Sequence, residues 1–431
     1  MNKQDKHVQQ DPLVAKKYYS GFVHAHDTYH ALSTASDGKV YYILSSDRHD
    51  IPGQMFMYDP VKDETEFLAN LNTICGEEKL QAVVQGKSHV PFFEYADHFY
   101  FATHVGFYEI IEDMERLPVK PPNGYKLYPG GHFLSYNLKT RAFHKLATAP
   151  DGEGIITMAM DTIRGNLFGI TWPKGYFIHY DLTLNVLTNL GPISSNGEAG
   201  IPGSDYRVLC RSMFVDDRDG IVYFSTANGD IFSYDPKVGK IILLPDINLR
   251  LDYFGNYDHT RPGSMAYNWR KIIWHPDQKV AYGVHGNSGY LFRFDPQKKH
   301  IEIIDRLTST PSKKSGMFDY YTYGYLGFDL SADQETIYYL TGGPMYEDGV
   351  RSKATDLARG GVRGVENLHL ITYHLPTNKY LDHGPVFYED GARPTYVNSI
   401  AIGPEDNIYA LARFEHDGQT IADLIKISNP L

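Results

Sequence analysis

The chain has 431 residues, 42% of them apolar and 22% charged, with a formal net charge of -11. That apolar content supports a sizeable core and excludes wholesale disorder, while the acidic balance argues against a phosphate-backbone binder, which needs clustered Lys and Arg. No apolar run approaches the roughly 20 residues that span a bilayer, and the opening MNKQDKHVQQDP lacks the apolar core of a signal peptide. A cytoplasmic protein without nucleic-acid or membrane partners is expected, with secretion open if a leader was removed.

Read in chain order, one unit recurs. A short β run follows an acidic or glycine turn; after a small-residue break, a second run ends in an aromatic residue and often Asp-Pro. VYYIL precedes MFMYDP, IVYFST precedes IFSYDP, and VAYGVHG precedes LFRFDP. The Asp-Pro stops a strand and starts a turn. Copies fall at residues 27–68, 83–146, 153–191, 206–245, 268–307, 321–384 and 394–429, each with four short strands rich in Val, Ile, Tyr and Phe. Seven four-stranded repeats of about 40 residues predict one all-β domain over residues 1–431, a seven-bladed β-propeller with antiparallel blades. Residues 1–20 read as a tail or as ring closure. Cys75 and Cys210 are too few for a disulfide framework and match no zinc motif; Cys210 reads as core. Packing accounts for most of the 34 tyrosines.

In a propeller, the innermost strand starts on the face that also carries the connection between the second and third strands. On the opposite face this chain has plain turns: SDGK, DTIRGN, DDRDG, HPDQK and GPEDN. The long excursions, residues 105–131, 192–205, 246–266, 308–320 and 343–366, all fall on the first face. Insertions confined to one face of a scaffold predict a binding site there.

Superposing the first strands brings one position per blade to the channel mouth: His30, His89, Ile156, Arg211, Arg270, Tyr325 or Leu326, and Asn398. The second strands add His104 and His285, blade three adds Trp172 and Tyr176, and blade seven adds Arg413. A cationic pocket on an acidic protein suits an anionic ligand. Arg pairs bidentately with a carboxylate, and His transfers protons near neutrality. These parts suit β-elimination from a uronic acid: Arg neutralises the carboxylate, a His or Tyr takes the C5 proton, and another group protonates the departing O4. Tyr253 and Tyr257 on a long loop could grip the sugar rings. No Asp/Glu pair of the kind used for glycoside hydrolysis emerges. His30, His89, His104 and His285 could instead share a divalent metal ion.

The segments QGKSHVPF and FATHVG, then YPGGHFLSYN and YRVLCRSMFVD, resemble the seven-bladed propeller polysaccharide lyases that cut uronic-acid glycans, of the ulvan lyase and rhamnosyl-glucuronate lyase type. They are also similar to the propeller α-L-rhamnosidases of glycoside hydrolase family 145. The resemblance spans most of the chain as a blade pattern, and its specific motifs cover blades two to four. It implies His89, His104, Tyr176 and Arg211 as the catalytic group, while His30, Arg270, His285 and Asn398 at the mouth and Tyr253 on its loop are read as substrate contacts. The expected function is a lyase acting on an anionic oligosaccharide in polysaccharide degradation. The alternatives are a rhamnosidase-like hydrolase and a non-catalytic propeller that binds a glycan or a protein.

Overall fold

The computed structural model describes residues 12–27, 29–111, 114–194, 197, 207–251, 259–260, 266–285, 288–315, 327–344, 346–347, 350–351, 365–394 and 397–431. Seven four-stranded antiparallel units follow one another along the chain, and the protein is a seven-bladed β-propeller. Blade three is the most regular. Its strands are Gly154–Asp161, Asn166–Trp172, Tyr176–Asp181 and Val186–Pro192, in that order from the axis outward.

Burial along this blade explains its sequence. All residues of the two inner strands, GIITMAMD and NLFGITW, are buried, because neighbouring blades cover both of their faces. The outermost strand, VLTNLGP, has no buried residue and carries the polar side chains. Continuous apolar inner strands and a mixed outer one are what two-sided and one-sided burial require. At the Asp-Pro turns, the carboxylate accepts from backbone amides that the turn leaves unpaired: Asp59 Oδ1 from Val61, and Asp235 Oδ1 from Lys237. These are Asx turns, and the proline supplies a residue with no amide to satisfy.

Blade two, strands Phe93–Tyr95, His98–Ala102, His132–Asn137 and Phe143–Thr148, carries an extra hairpin between its second and third strands, Glu109–Ile111 with Met114–Arg116. Much of the other long excursions lies outside the described residues. Cys75 and Cys210 are both buried free thiols. Among the described residues, no helix is long and apolar enough to cross a membrane.

The ring closes through strand Leu13–Lys17. It pairs antiparallel with Gln419–Ile427 as the outermost strand of blade seven, and parallel with Lys379–Tyr388 of blade six. Those two blades therefore share one eight-stranded sheet. Just beyond it, Ser20 donates from its amide and its hydroxyl to the fully buried Asp423 carboxylate, at 2.7 and 2.8 Å.

Candidate active site

The site is assembled from the segments that enter the innermost strands. In blade two, the segment around QGKSH runs antiparallel to THVG: Lys87 N–H donates to the His104 carbonyl at 3.1 Å, and His104 N–H returns a bond to the Lys87 carbonyl at 2.8 Å. Glycine makes the close approach feasible. A Cβ on Gly86 would lie 2.5 Å from the Gly106 backbone, and one on Gly106 would lie 1.9 Å from the Ser46 carbonyl. The chain is also tied to blade one there, because the Ser46 amide donates to the Gly86 carbonyl and the Gly53 amide to the Gln85 carbonyl.

This bridge presents His89 and His104 to each other with ring centroids 4.7 Å apart. His104 is fully buried. Its Nδ1 lies 3.0 Å from the Val105 carbonyl, which can only accept, so Nδ1 carries the proton and Nε2 the lone pair. Among the described residues, that Nε2 is buried without a hydrogen-bond partner. The ring packs 5.4 Å from Trp172, and a Cβ on Gly154 would come within 2.7 Å of Nδ1. His104 is thus held as an oriented, neutral imidazole.

Lys87, which sequence reasoning passed over, is the central cation. It is 2% exposed, and its Nζ lies 4.0 Å from the Tyr29 ring centroid and 4.3 Å from that of Tyr108. The signal was in the motif: residues 87 and 89 of an extended segment share a face. Tyr29 also packs 4.1 Å from His89, and Tyr108 lies 5.2 Å from Trp172.

Other expected residues join this group. The charges of Arg211, Arg270 and Lys271 act on His30, and Lys87, Arg211 and the rings of His104 and His30 act on His89. Arg270 bonds Asn398 across the axis at 3.4 Å. Arg211 Nη1 donates to the Leu209 carbonyl, and Arg413 pairs with Asp27. Ile156 is buried in an apolar cluster.

Tyr176 requires correction. It heads the third strand of blade three, one full strand farther from the axis than expected, and its hydroxyl donates to Asp151 beside Lys174. The structure brings Tyr29 and Tyr108 to the histidines in its place. His285 ends the second strand of blade five, and its Nδ1 lies 2.8 Å from Ser288 Oγ. Tyr253, Tyr257, Tyr325 and Leu326 lie outside the described residues.

A cavity of about 360 Å³ follows the axis from His30, His89 and Arg211, past Lys271 and Asp329, to Ile163 and Asp217 in the short turns. The polar centre therefore also opens towards the face expected to be plain. Among the described residues, no group of three or more His, Cys, Asp or Glu side chains could hold a metal ion. An ion shared by the four histidines, left open from the sequence, gains no support from this geometry, and the Lys and Arg charges around His30 and His89 would repel it.

Electrostatics sets the protonation states. Burial, then the charge of Lys87, holds His89 and His104 well below the ordinary imidazole value. Burial, then Lys271, does the same to His30, and burial takes His285 down to about 3. Burial brings the Lys87 ammonium down to about 8. Two carboxyls shift the other way, the partly buried Asp329 to about 6 and the fully buried Asp423 to about 7, chiefly through loss of solvation.

Stability should record these shifts. The unfolded chain protonates the four histidines near pH 6.5 and the native protein does not, so stability is full above that pH and falls below it. Asp329 and Asp423 bind protons in the native state from their raised values down to the ordinary carboxylate range, and so oppose the fall. Near pH 5.5 the four histidines outnumber the two carboxyls, and His179 and His383, which burial also lowers, act on the same side, so unfolding takes up protons. Denaturant titrations between pH 5 and 8 should give an unfolding free energy that rises with pH up to about 6.5. A decline over that interval would mean that the imidazoles are charged in the native protein.

Fold and site together define a seven-bladed β-propeller with a buried His/Lys/Arg centre on its axis. No family model matches the chain, and no curated protein matches it. Among solved structures, a chain of a mitotic checkpoint complex is similar over 100% of this chain and 96% of its own, at 10% identity and a TM-score of 0.51. The extracellular domain of BT4673 from B. thetaiotaomicron, a chain named for a hybrid two component system, is similar over 97% of this chain at 14% identity and a TM-score of 0.50. This chain spans 40% of that chain's length. At such identities the likeness is one of fold alone.

Proposed function

We propose that the protein is a carbon-oxygen lyase that cleaves uronic-acid-containing oligosaccharides by β-elimination. The observation that carries the reading is the fixed neutral imidazole of His104, with its lone pair on a buried Nε2, set beside Lys87. In this mechanism Arg211 neutralises the uronate carboxylate and so acidifies the C5 hydrogen. His104 Nε2 takes that proton, the C5–H electrons form the C4=C5 double bond, and the C4–O4 bond breaks. O4 departs with a proton from the Tyr108 hydroxyl, which is restored from His104 through solvent. His89, packed against Tyr29, lines the sugar site, and Arg270 with Asn398 contacts its hydroxyls.

Hydrolysis by paired carboxylates fits this group less well. Among the described residues, the acids whose charge reaches Lys87 are Glu115, Asp27 and Asp47, and Asp27 is engaged by Arg413. Incubation with glucuronate- and galacturonate-containing oligosaccharides should produce the ultraviolet absorbance of an unsaturated uronate, and products whose combined mass equals that of the substrate. Products carrying an added water, without new absorbance, would replace the lyase with the rhamnosidase-like hydrolase. Binding without any turnover would leave a glycan-binding propeller.

A further inference from the structure

Lys87 presents an imbalance that the elimination scheme does not use. A buried cation is normally paired with an acid, because leaving water costs more than a protein interior returns without one. Lys87 is 2% exposed, yet among the described residues its Nζ has no hydrogen-bond acceptor and no carboxylate within ion-pair distance. What faces it is two aromatic rings, Tyr29 at 4.0 Å and Tyr108 at 4.3 Å. Such rings attract an ammonium without cancelling its charge. The charged groups that act on it are Glu115 of the blade-two hairpin, Asp27 and Asp47 of the blade-one loops, and Arg211 of blade four. The nearby histidines, His89 and His104, stay neutral. Two cations, Lys87 and Arg211, thus serve one centre, and the first lacks an anion of its own.

We propose that Lys87 is a carboxylate-binding cation of the site, whose missing counter-ion is the acidic group of a hexuronate, with Tyr29 and Tyr108 as the walls against which the sugar ring packs. This deepens the uronate reading of the same site and depends on it for the substrate class. It also makes recognition of the acid, more than of the neutral sugar, the step that selects substrate.

Calorimetric titration of the full chain with D-glucuronate, D-galacturonate and the neutral D-glucuronamide tests this. Lys87→Met should weaken glucuronate or galacturonate binding at pH 7 by at least tenfold, while Lys87→Arg stays within about threefold of the parent. Glucuronamide should bind parent and Lys87→Met alike. In the parent, uronate affinity should fall as pH rises through 8, and in Lys87→Arg it should not. Equal uronate affinity in the parent and Lys87→Met overturns the proposal, as does a parent that binds neither uronate. Loss of turnover in Lys87→Met with uronate affinity intact also overturns it, and leaves the lyase standing. Lys87-dependent uronate binding in a protein that never forms the unsaturated product supports Lys87 and removes the lyase. Should Lys87→Met fail to fold, Lys87→Gln and the pH dependence of Lys87→Arg carry the same decision.

Discussion

His104→Ala is expected to lower the rate of uronate elimination by about 10²–10⁴-fold, the range for loss of a positioned general base, while the protein stays folded. Several contacts fix the position of this one ring. The Val105 carbonyl fixes the tautomer, Trp172 flanks the ring, and the absent side chain of Gly154 makes room for it. A purely structural histidine would pair both nitrogens, and here Nε2 has no hydrogen-bond partner among the described residues. The loss should appear in kcat, with KM within a few-fold of the parent, because Lys87 and Arg211 still hold the acid. Added imidazole should restore part of the rate. Activity within about threefold of the parent would remove His104 from the chemistry and move the base to His89.

Gly106→Ala should be the most damaging single methyl in the site. Its Cβ would fall 1.9 Å from the Ser46 carbonyl oxygen and 2.9 Å from Gly86 Cα, and both neighbours are backbone. Backbone on two sides cannot rotate away, so blade one and the Lys87 segment must separate, at a cost of about 3 kcal/mol or more. The substitution also displaces Lys87 and His104 together, since both lie on the strand pair that Gly86 and Gly106 allow to meet. Thermal and denaturant unfolding check the stability term. Melting within about 2 °C of the parent would show that this contact yields.

Blade spacing was legible in the sequence because each repeat carries the same physical punctuation, a β run, an aromatic and an Asx turn; the strands fall inside the expected copies with small shifts, except that the copy at 394–429 supplies three and Leu13–Lys17, from the segment read as tail or ring closure, supplies the fourth. Position along the axis was legible wherever a residue sits just before an innermost strand. His30, His89 and Arg211 share the axial cavity, and Arg270 meets Asn398. Tyr176 fell out for a geometric reason. Only Pro173, Lys174 and Gly175 separate it from the second strand, so it already belongs to the third. Lys87 escaped notice because a lysine in an extended segment normally reads as solvent-facing. Its burial depends on Tyr29 from blade one and Tyr108 from beyond strand two, partners with no local sequence relation to it. The reach of the axial cavity to Ile163 and Asp217 in the short turns was equally invisible, since it is made by contributions from blades around the ring.

The strand that closes the ring has a consequence for how the molecule comes into being. Leu13–Lys17 is made first, yet its partners, Lys379–Tyr388 and Gln419–Ile427, are made last. Six blades can form in order during synthesis, but the seventh lacks its outer edge until Leu13–Lys17 meets Gln419–Ile427. Until then both of these strands present open edges, the surfaces on which β proteins join one another. Contacts so distant in sequence form slowly, so the newly made protein passes through an interval in which the axial centre is nearly built but the circle that braces it is open.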